Sequence, residues 1–141
     1  MQSDSMLRPV RASLVAVFTV AAGLAACGDS GPSDSEQVRA TVEAFGQATA
    51  AKDYQRLCDE LLAPRLIAKL EQVGLPCEVA LQRGFEDVRS PTLTIGRIEV
   101  DDDSATAEVN STAAGQPPSH DTLALQRVNG QWRIASLADE R

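Results

Sequence analysis

The hydrophobic pattern of the chain changes its period once, after residue 85, and this change limits the fold more than any other feature. Before it, apolar side chains recur at helical spacing, as in Val38, Val42 and Phe45. After it they alternate, as in Leu93 and Ile95, which is typical of strands with one buried face. Helices followed by an antiparallel sheet predict an α+β fold. The N-terminal helices should pack on a curved sheet of about four strands and leave a pocket inside.

Four helices are predicted in the first half. The first runs from Glu36 to about Ala51, and Ser33 with Glu36 matches a capping box, although Asp34 and Ser35 are rival caps. Asp53 can cap the second helix. The apolar faces of the other helices comprise Tyr54, Leu57, Cys58, Leu61 and Leu62 in the second; Leu66, Ile67, Leu70 and Val73 between Pro64 and Gly74 in the third; and Cys77, Leu81 and Phe85 in the fourth.

The strands are separated by recognisable turns. Gly96 shifts the alternation from Leu93 and Ile95 to the next apolar pair, which predicts a β-bulge. The run 101–104 is expected to be a solvated turn, because it lacks the spaced ligands and terminal Glu of a calcium loop. Asn129-Gly130 is a strong hairpin signal. The later strands contain Ala105, Ala107 and Val109; Leu123 and Leu125; and Trp132 and Ile134, with a loop at 113–119.

A basic and then apolar segment precedes the helices. Arg8 and Arg11 lie before the run Ser13–Leu24, which is shorter than the roughly 20 residues of a membrane-spanning helix. This order is typical of a secretory signal peptide. The tetrad Leu24-Ala25-Ala26-Cys27 resembles a lipobox. The resemblance implies that the Cys27 sulfur takes a diacylglycerol and that Cys27 becomes the new N-terminus.

The predicted organisation follows from this leader. Residues 1–26 are the signal peptide, starting at Met1 or Met6; residues 27–35 are the acylated Cys27 and a flexible tether; and residues 36–141 are the folded domain. An uncleaved anchor with an incidental Cys27 is the alternative. The expected location is the outer face of the cytoplasmic membrane, where the acyl chains hold the protein.

Two cysteines remain once Cys27 is acylated. Outside the cytoplasm, Cys58 and Cys77 are expected to form a disulfide that joins the second helix to the fourth. A zinc site is not expected, because His120 is the single histidine and four ligands cannot be completed. A reactive thiol is also disfavoured, because two acidic residues directly follow Cys58.

Three parts of the chain resemble the nuclear transport factor 2-like (NTF2-like) superfamily. They are the first helix with its ending Ala51-Lys52-Asp53-Tyr54, the short helices that follow it, and the terminal hairpin from Leu123 through Gly130-Gln131-Trp132-Arg133-Ile134. The resemblance covers residues 36–137 and implies a cone-shaped domain. The chain looks most like small actinobacterial lipoproteins of this fold, in which a cysteine pair joining the helices is also found.

The charge of the chain narrows the class of partner. The formal net charge is -7, and no basic stripe is visible. Nucleic acid is therefore not an expected partner, and neither is electrostatic docking onto anionic lipid. No metal or cofactor is expected. The expected partners are the membrane, through the lipid, and a small apolar ligand or an envelope protein, with a homodimer as a further option.

Four side chains are candidate ligand contacts: Tyr54, Arg97, Arg127 and Trp132. Trp132 is otherwise a core residue whose indole N–H should find a backbone acceptor. The two arginines interrupt the apolar alternation of their strands. We expect their side chains to lie on the open face of the sheet rather than in the cavity. Tyr54 and His120 do not supply the facing acid–base pair that enzymes of the superfamily place in the cone, so no catalytic residue is assigned.

The expected function is a membrane-anchored, non-catalytic module that binds a ligand or a protein. An isomerase or hydrolase acting inside the cone is the alternative, and it requires two buried ionisable groups that face each other. A third option is an accessory domain that dimerises through the open sheet face. Thr106, Glu108 and Asn110 make that face polar and weaken this option.

Overall fold

The computed structural model describes residues 31–137, so the predicted signal peptide, Cys27 and the start of the tether lie outside the described residues. The described residues belong to one compact unit. The elements are α1 (Asp34–Ala51), α2 (Tyr54–Arg56), a π-helix (Leu57–Leu61), α3 (Pro64–Glu71), α4 (Cys77–Gly84), β1 (Thr92–Asp101), β2 (Ser104–Thr112), β3 (Ser119–Val128) and β4 (Gln131–Ser136). The predicted α+β class is confirmed.

Helix α1 begins with the predicted capping box. The Glu36 backbone N–H donates to Ser33 Oγ at 3.3 Å, and the Ser33 backbone N–H donates to Glu36 Oε2 at 2.7 Å. These bonds satisfy two backbone donors that a helix start would otherwise leave open. The helix therefore starts at Asp34, so the end of the predicted tether, from Ser33 to Ser35, belongs to the folded domain.

The predicted second helix is divided. Asp53 caps it as expected, since its carboxylate accepts the Arg56 backbone N–H at 3.1 Å. After three α-helical residues the chain continues as the π-helix, which buries Leu57, Cys58 and Leu61. Leu62 is already extended and forms a parallel bridge with Ile134. This short segment covers the free edge of β4, which would otherwise expose unpaired backbone groups.

The third helix is shorter than its apolar pattern predicts. It ends at Glu71, and Val73 is 71% exposed, so the predicted place of Val73 on the apolar face is wrong. The chain turns at Gly74, whose φ of 79° suits a residue without a side chain. Helix α4 then begins at Cys77, and the predicted disulfide between Cys77 and Cys58 joins it to the π-helix.

The four strands form an antiparallel meander in the order β1-β2-β3-β4. The register of β1 against β2 shifts between Ile95 and Ile98, which places the predicted bulge at Gly96 and Arg97. Asn129 and Gly130 both have positive φ, as a tight two-residue hairpin turn requires. The predicted hairpin is confirmed. β3 starts at Ser119, four residues before the first leucine of its apolar phase.

The core lies between the helices and the concave face of the curved sheet. On β2 the inward residues Ala105, Ala107 and Val109 are buried, while the residues between them are exposed. Buried residues of α1 and the π-helix meet this face, and the fully buried large side chains are Val38, Val42, Leu57, Leu62, Leu125 and Ile134. No helix within residues 31–137 is long and apolar enough to cross a membrane.

Candidate functional site

A cavity of about 450 Å³ lies beside α1, at the end of the sheet where β1 and β3 begin and β2 ends. Its size is in the range of small-molecule binding sites. It is lined by Phe45, Gly46, Thr49, Phe85, Val88, Pro91, Thr92, Leu93, Val109, Ser111, Thr112, Ala113, Gln116, Pro117, Ser119, Asp121, Leu123 and Leu137.

One wall of the cavity is apolar. It is made by Phe45 of α1, Phe85 after α4, and Leu93 and Leu123 of the sheet. Gly46 faces this wall, and a Cβ atom built there would lie 3.4 Å from Leu93 Cβ. A larger side chain at Gly46 would therefore press against Leu93 at the cavity lining.

The sheet side of the lining also carries a polar wall, a short row of polar side chains next to Leu93 and Leu123. Ser111 Oγ lies 2.7 Å from Ser119 Oγ, and Ser119 Oγ donates to Asp121 Oδ2 at 2.8 Å. Ser119 has one hydroxyl proton, which this second bond uses, so Ser111 must be the donor in the first. Both hydroxyl protons therefore point in the direction from Ser111 through Ser119 to the Asp121 carboxylate.

The register of the sheet explains why these three side chains face the cavity. Ser111 pairs with Ser119, and Asp121 pairs with the buried Val109. Directly opposed residues of antiparallel strands point to the same face. The inward phase of β3 is therefore apolar at Leu125 and Leu123 and becomes polar at Asp121.

The cavity has little of what acid–base catalysis requires. Among the described lining residues, Asp121 is the one acidic or basic side chain. Within residues 31–137, no group of three or more His, Cys, Asp or Glu side chains is placed to hold a metal ion. The facing pair of ionisable groups expected of an enzyme of this shape is not present in the described lining.

None of the four residues predicted as ligand contacts lines this cavity. Tyr54 packs against the core and borders a separate surface depression with Lys52 and Arg83. The Arg97 side chain is 70% exposed, and its Nη1 lies 3.9 Å from Glu99 Oε1. His120 is exposed and pairs with Asn110.

Arg127 and Trp132 form a cluster away from the cavity. Trp132 is buried, and the Arg127 guanidinium lies 4.6 Å above its ring. Because the two residues are in register on neighbouring strands, Arg127 lies on the helix-covered face, and its predicted place on the open face is wrong. Its Nη2 lies 2.7 Å from Asp34 Oδ1. The Trp132 Nε1 has no hydrogen-bond partner within the described residues, which corrects the expected backbone acceptor.

Asp121 is a cavity residue that the sequence analysis does not single out. The signal was the phase of β3. Asp121 is two residues before Leu123 and four before Leu125, so extending that alternation backward places its side chain inside.

The convex face of the sheet is polar. Thr106, Glu108 and Asn110 are exposed there. The large apolar residues exposed within the described part of the chain are Val73, in the turn after α3, and Val100, on β1. These two separate residues do not form an apolar patch of several hundred Å², which is the size expected of a hydrophobic dimer interface.

Comparison with known proteins identifies the fold. No family model matches the chain, and no curated protein matches it. An NTF2-like protein of unknown function from Shewanella baltica is 14% identical, with a TM-score of 0.52, covering 72% of this chain and 87% of that one. One of unknown function from Silicibacter pomeroyi is 21% identical, with a TM-score of 0.53, covering 72% and 89%.

A de novo designed protein of the NTF2 fold is also similar. It is 17% identical, with a TM-score of 0.52, and the match covers 78% of this chain and 90% of the designed one. At these identities the similarity concerns the fold alone. The domain has the NTF2-like fold, as the resemblance of its sequence implied.

Proposed function

We propose that this domain is a non-catalytic binding module that holds a small, largely apolar molecule in its cavity. The observation that carries the proposal is the cavity itself, about 450 Å³ in volume, whose lining combines apolar side chains with three connected polar ones. An apolar lining with a few placed polar groups is typical of ligand sites.

Binding is favoured over catalysis by the chemistry of the lining. General acid–base catalysis needs a base and a facing donor of matched proton affinity. Asp121 is hydrogen-bonded to Ser119 on its own strand, and no second acidic or basic side chain is among the described lining residues. The polar convex face likewise favours a small ligand over dimerisation through the sheet.

The proposal places the module at the outer face of the cytoplasmic membrane, held by a lipid on Cys27. Support comes from the order of the leader, with Arg8 and Arg11 before an apolar run that ends in Leu24-Ala25-Ala26-Cys27. Radiolabelled palmitate should enter the wild-type protein and not Cys27→Ala. A purified native product that keeps residues 1–26, or that carries a free thiol at Cys27, contradicts the anchor.

The binding proposal is tested on the full chain purified from its own membrane. Native mass spectrometry should detect a bound small molecule, released on unfolding. Titration with N-phenylnaphthylamine, a neutral apolar dye, should give saturable fluorescence that Gly46→Leu abolishes, because the new side chain enters the cavity beside Leu93. Gly84→Leu is the matched control, since no atom lies within 4 Å of a Cβ there. Equal dye binding by both variants would contradict the proposal.

A further inference from the structure

We propose that the cavity selects apolar molecules that carry a protonated amine, and that Asp121 binds this head group. The inference rests on the proposed binding function and names the class of ligand. It is drawn from the direction of the hydrogen bonds on the polar wall and from the charges around it.

The polar wall offers acceptors and uses its own protons internally. Ser111 donates to Ser119, and Ser119 donates to Asp121 Oδ2, so the protons of both hydroxyls are engaged. The second carboxylate oxygen of Asp121 and the free lone pairs of Ser111 remain for a ligand. A head group that donates hydrogen bonds fits this wall, whereas a carboxylate or phosphate would place acceptor against acceptor.

The charge of the cavity lining also favours a cationic head group. Among the described lining residues there is no Lys, Arg or His beside Asp121. Asp121 is partly buried. A partly buried charge without an opposite charge is unfavourable, and a ligand ammonium would supply the missing partner. The net charge of the chain, -7, also favours the approach of a cation.

The position of Asp121 leaves the rest of the ligand in apolar surroundings. The next inward residue on β3 is the buried Leu123, and Phe45, Phe85 and Leu93 complete that part of the lining. A compact hydrocarbon body can therefore lie against these side chains while its amine lies at Asp121. The inferred ligand has one amine on a body without further charges.

Three molecules with the same hydrocarbon cage test the inference: aminoadamantane, hydroxyadamantane and adamantane carboxylate. The full lipidated chain is placed in nanodiscs of zwitterionic lipid, and binding is measured by calorimetry at neutral pH against empty nanodiscs. The amine should bind about ten-fold or more tightly than the alcohol, since a hydrogen bond to a charged group is the stronger one. The carboxylate should bind most weakly.

Asp121→Asn should remove the preference for the amine, lowering its affinity about ten-fold while changing that of the alcohol less than about three-fold. The asparagine oxygen can still accept from Ser119, so the fold should be retained. Asp102→Asn is the matched control: it removes the same charge from the β1–β2 turn, and its φ of 50° suits asparagine. This control should leave all three affinities unchanged.

The outcomes separate the two proposals. Equal affinities for the three cages, or tightest binding of the carboxylate, would overturn the amine inference and leave the binding function standing. No binding of any cage, together with no saturable binding of the dye, would overturn both. The order of the three affinities in the wild-type protein tests the inference by itself. The test therefore remains decisive even if Asp121→Asn folds poorly.

Discussion

Arg127 on β3 lies 2.7 Å, Nη2 to Oδ1, from Asp34, the residue with which α1 begins. Arg127 Nε also lies 3.2 Å from Asp103 Oδ1 in the β1–β2 turn, as an ion pair whose Nε–H is not aligned for a hydrogen bond. The guanidinium covers the Trp132 ring. One side chain thus holds the start of the first helix, a hairpin turn and the last strand together.

Replacing Arg127 should therefore destabilise the domain although no ligand contacts it. Arg127→Met keeps an apolar stem over Trp132 but removes both ion pairs and the cation–π contact. We expect the free energy of unfolding to fall by about 1–2 kcal/mol, measured by urea denaturation. Arg97→Met is the matched control: its side chain is 70% exposed, so we expect less than about 0.5 kcal/mol. Equal losses would show that the cluster adds no stability.

The disulfide should be a major source of stability. Cys58 and Cys77 are 19 residues apart and join the π-helix to α4. Closing a loop of this length should stabilise the domain by about 3 kcal/mol in the chain-entropy model. The double variant Cys58→Ala/Cys77→Ala should lose about that amount in urea denaturation. Reductant should lower the stability of the wild type toward that of the variant and leave the variant unchanged. Urea denaturation of the wild type that does not change with reductant would contradict the disulfide.

The strands were predictable because each has one buried face. Alternation located β2 and the inward leucines of β3, Gly96 located the bulge, and Asn129-Gly130 located the last turn. These are local signals in which burial or a required φ selects the residue type. The capping box was predictable for the same reason, since Ser33 and Glu36 are three residues apart.

A pocket was expected from the fold, but its lining was not predictable from such signals, because residues far apart in sequence form it. Phe45 comes from α1, Phe85 follows α4, and Gln116 lies in the β2–β3 loop.

Tyr54 and Trp132, which suggested ligand contacts, pack in or against the core instead. Arg127 belongs to an ion-pair cluster, and Arg97 is exposed. A residue such as Trp132 occupies the same position in the strand alternation whether it is a core residue or a ligand contact. Only its neighbours in space distinguish these two roles.

The capping box should make the start of α1 sensitive to acid. Hydrogen bonds from the Ser33 backbone N–H and then from its hydroxyl hold the pKa of Glu36 below its usual value. A lowered folded pKa means that the carboxylate stabilises the fold above the ordinary glutamate pKa of about 4.3 and loses this effect as the pH falls through the lower folded value.

Glu36→Gln should therefore unfold at lower urea than the wild type at neutral pH, and the difference should shrink in acid. Glutamine can occupy the same position in a capping box, so the helix should still form. Glu43→Gln changes the same charge at an exposed position in the middle of α1 and is the control. A gap between Glu36→Gln and the wild type that widens as the pH falls would contradict the assignment.

Gly46 should reveal a conflict between stability and ligand binding. A glycine inside a helix costs up to about 1 kcal/mol relative to alanine. The Cβ of Gly46→Ala would lie 3.4 Å from Leu93 Cβ, an ordinary contact, so we expect the variant to be more stable by somewhat less than that amount. The methyl group also enters the cavity, so the affinity for N-phenylnaphthylamine should fall.

Gly84→Ala separates the two effects, because Gly84 ends α4 outside the cavity lining and has open space around its Cβ position. It should leave dye affinity unchanged. Urea denaturation and dye titration of both variants decide the matter. If Gly46→Ala were less stable than the wild type, the space beside Leu93 would be too tight for a methyl group. If it were more stable and bound the dye unchanged, the bound molecule would not reach this part of the cavity.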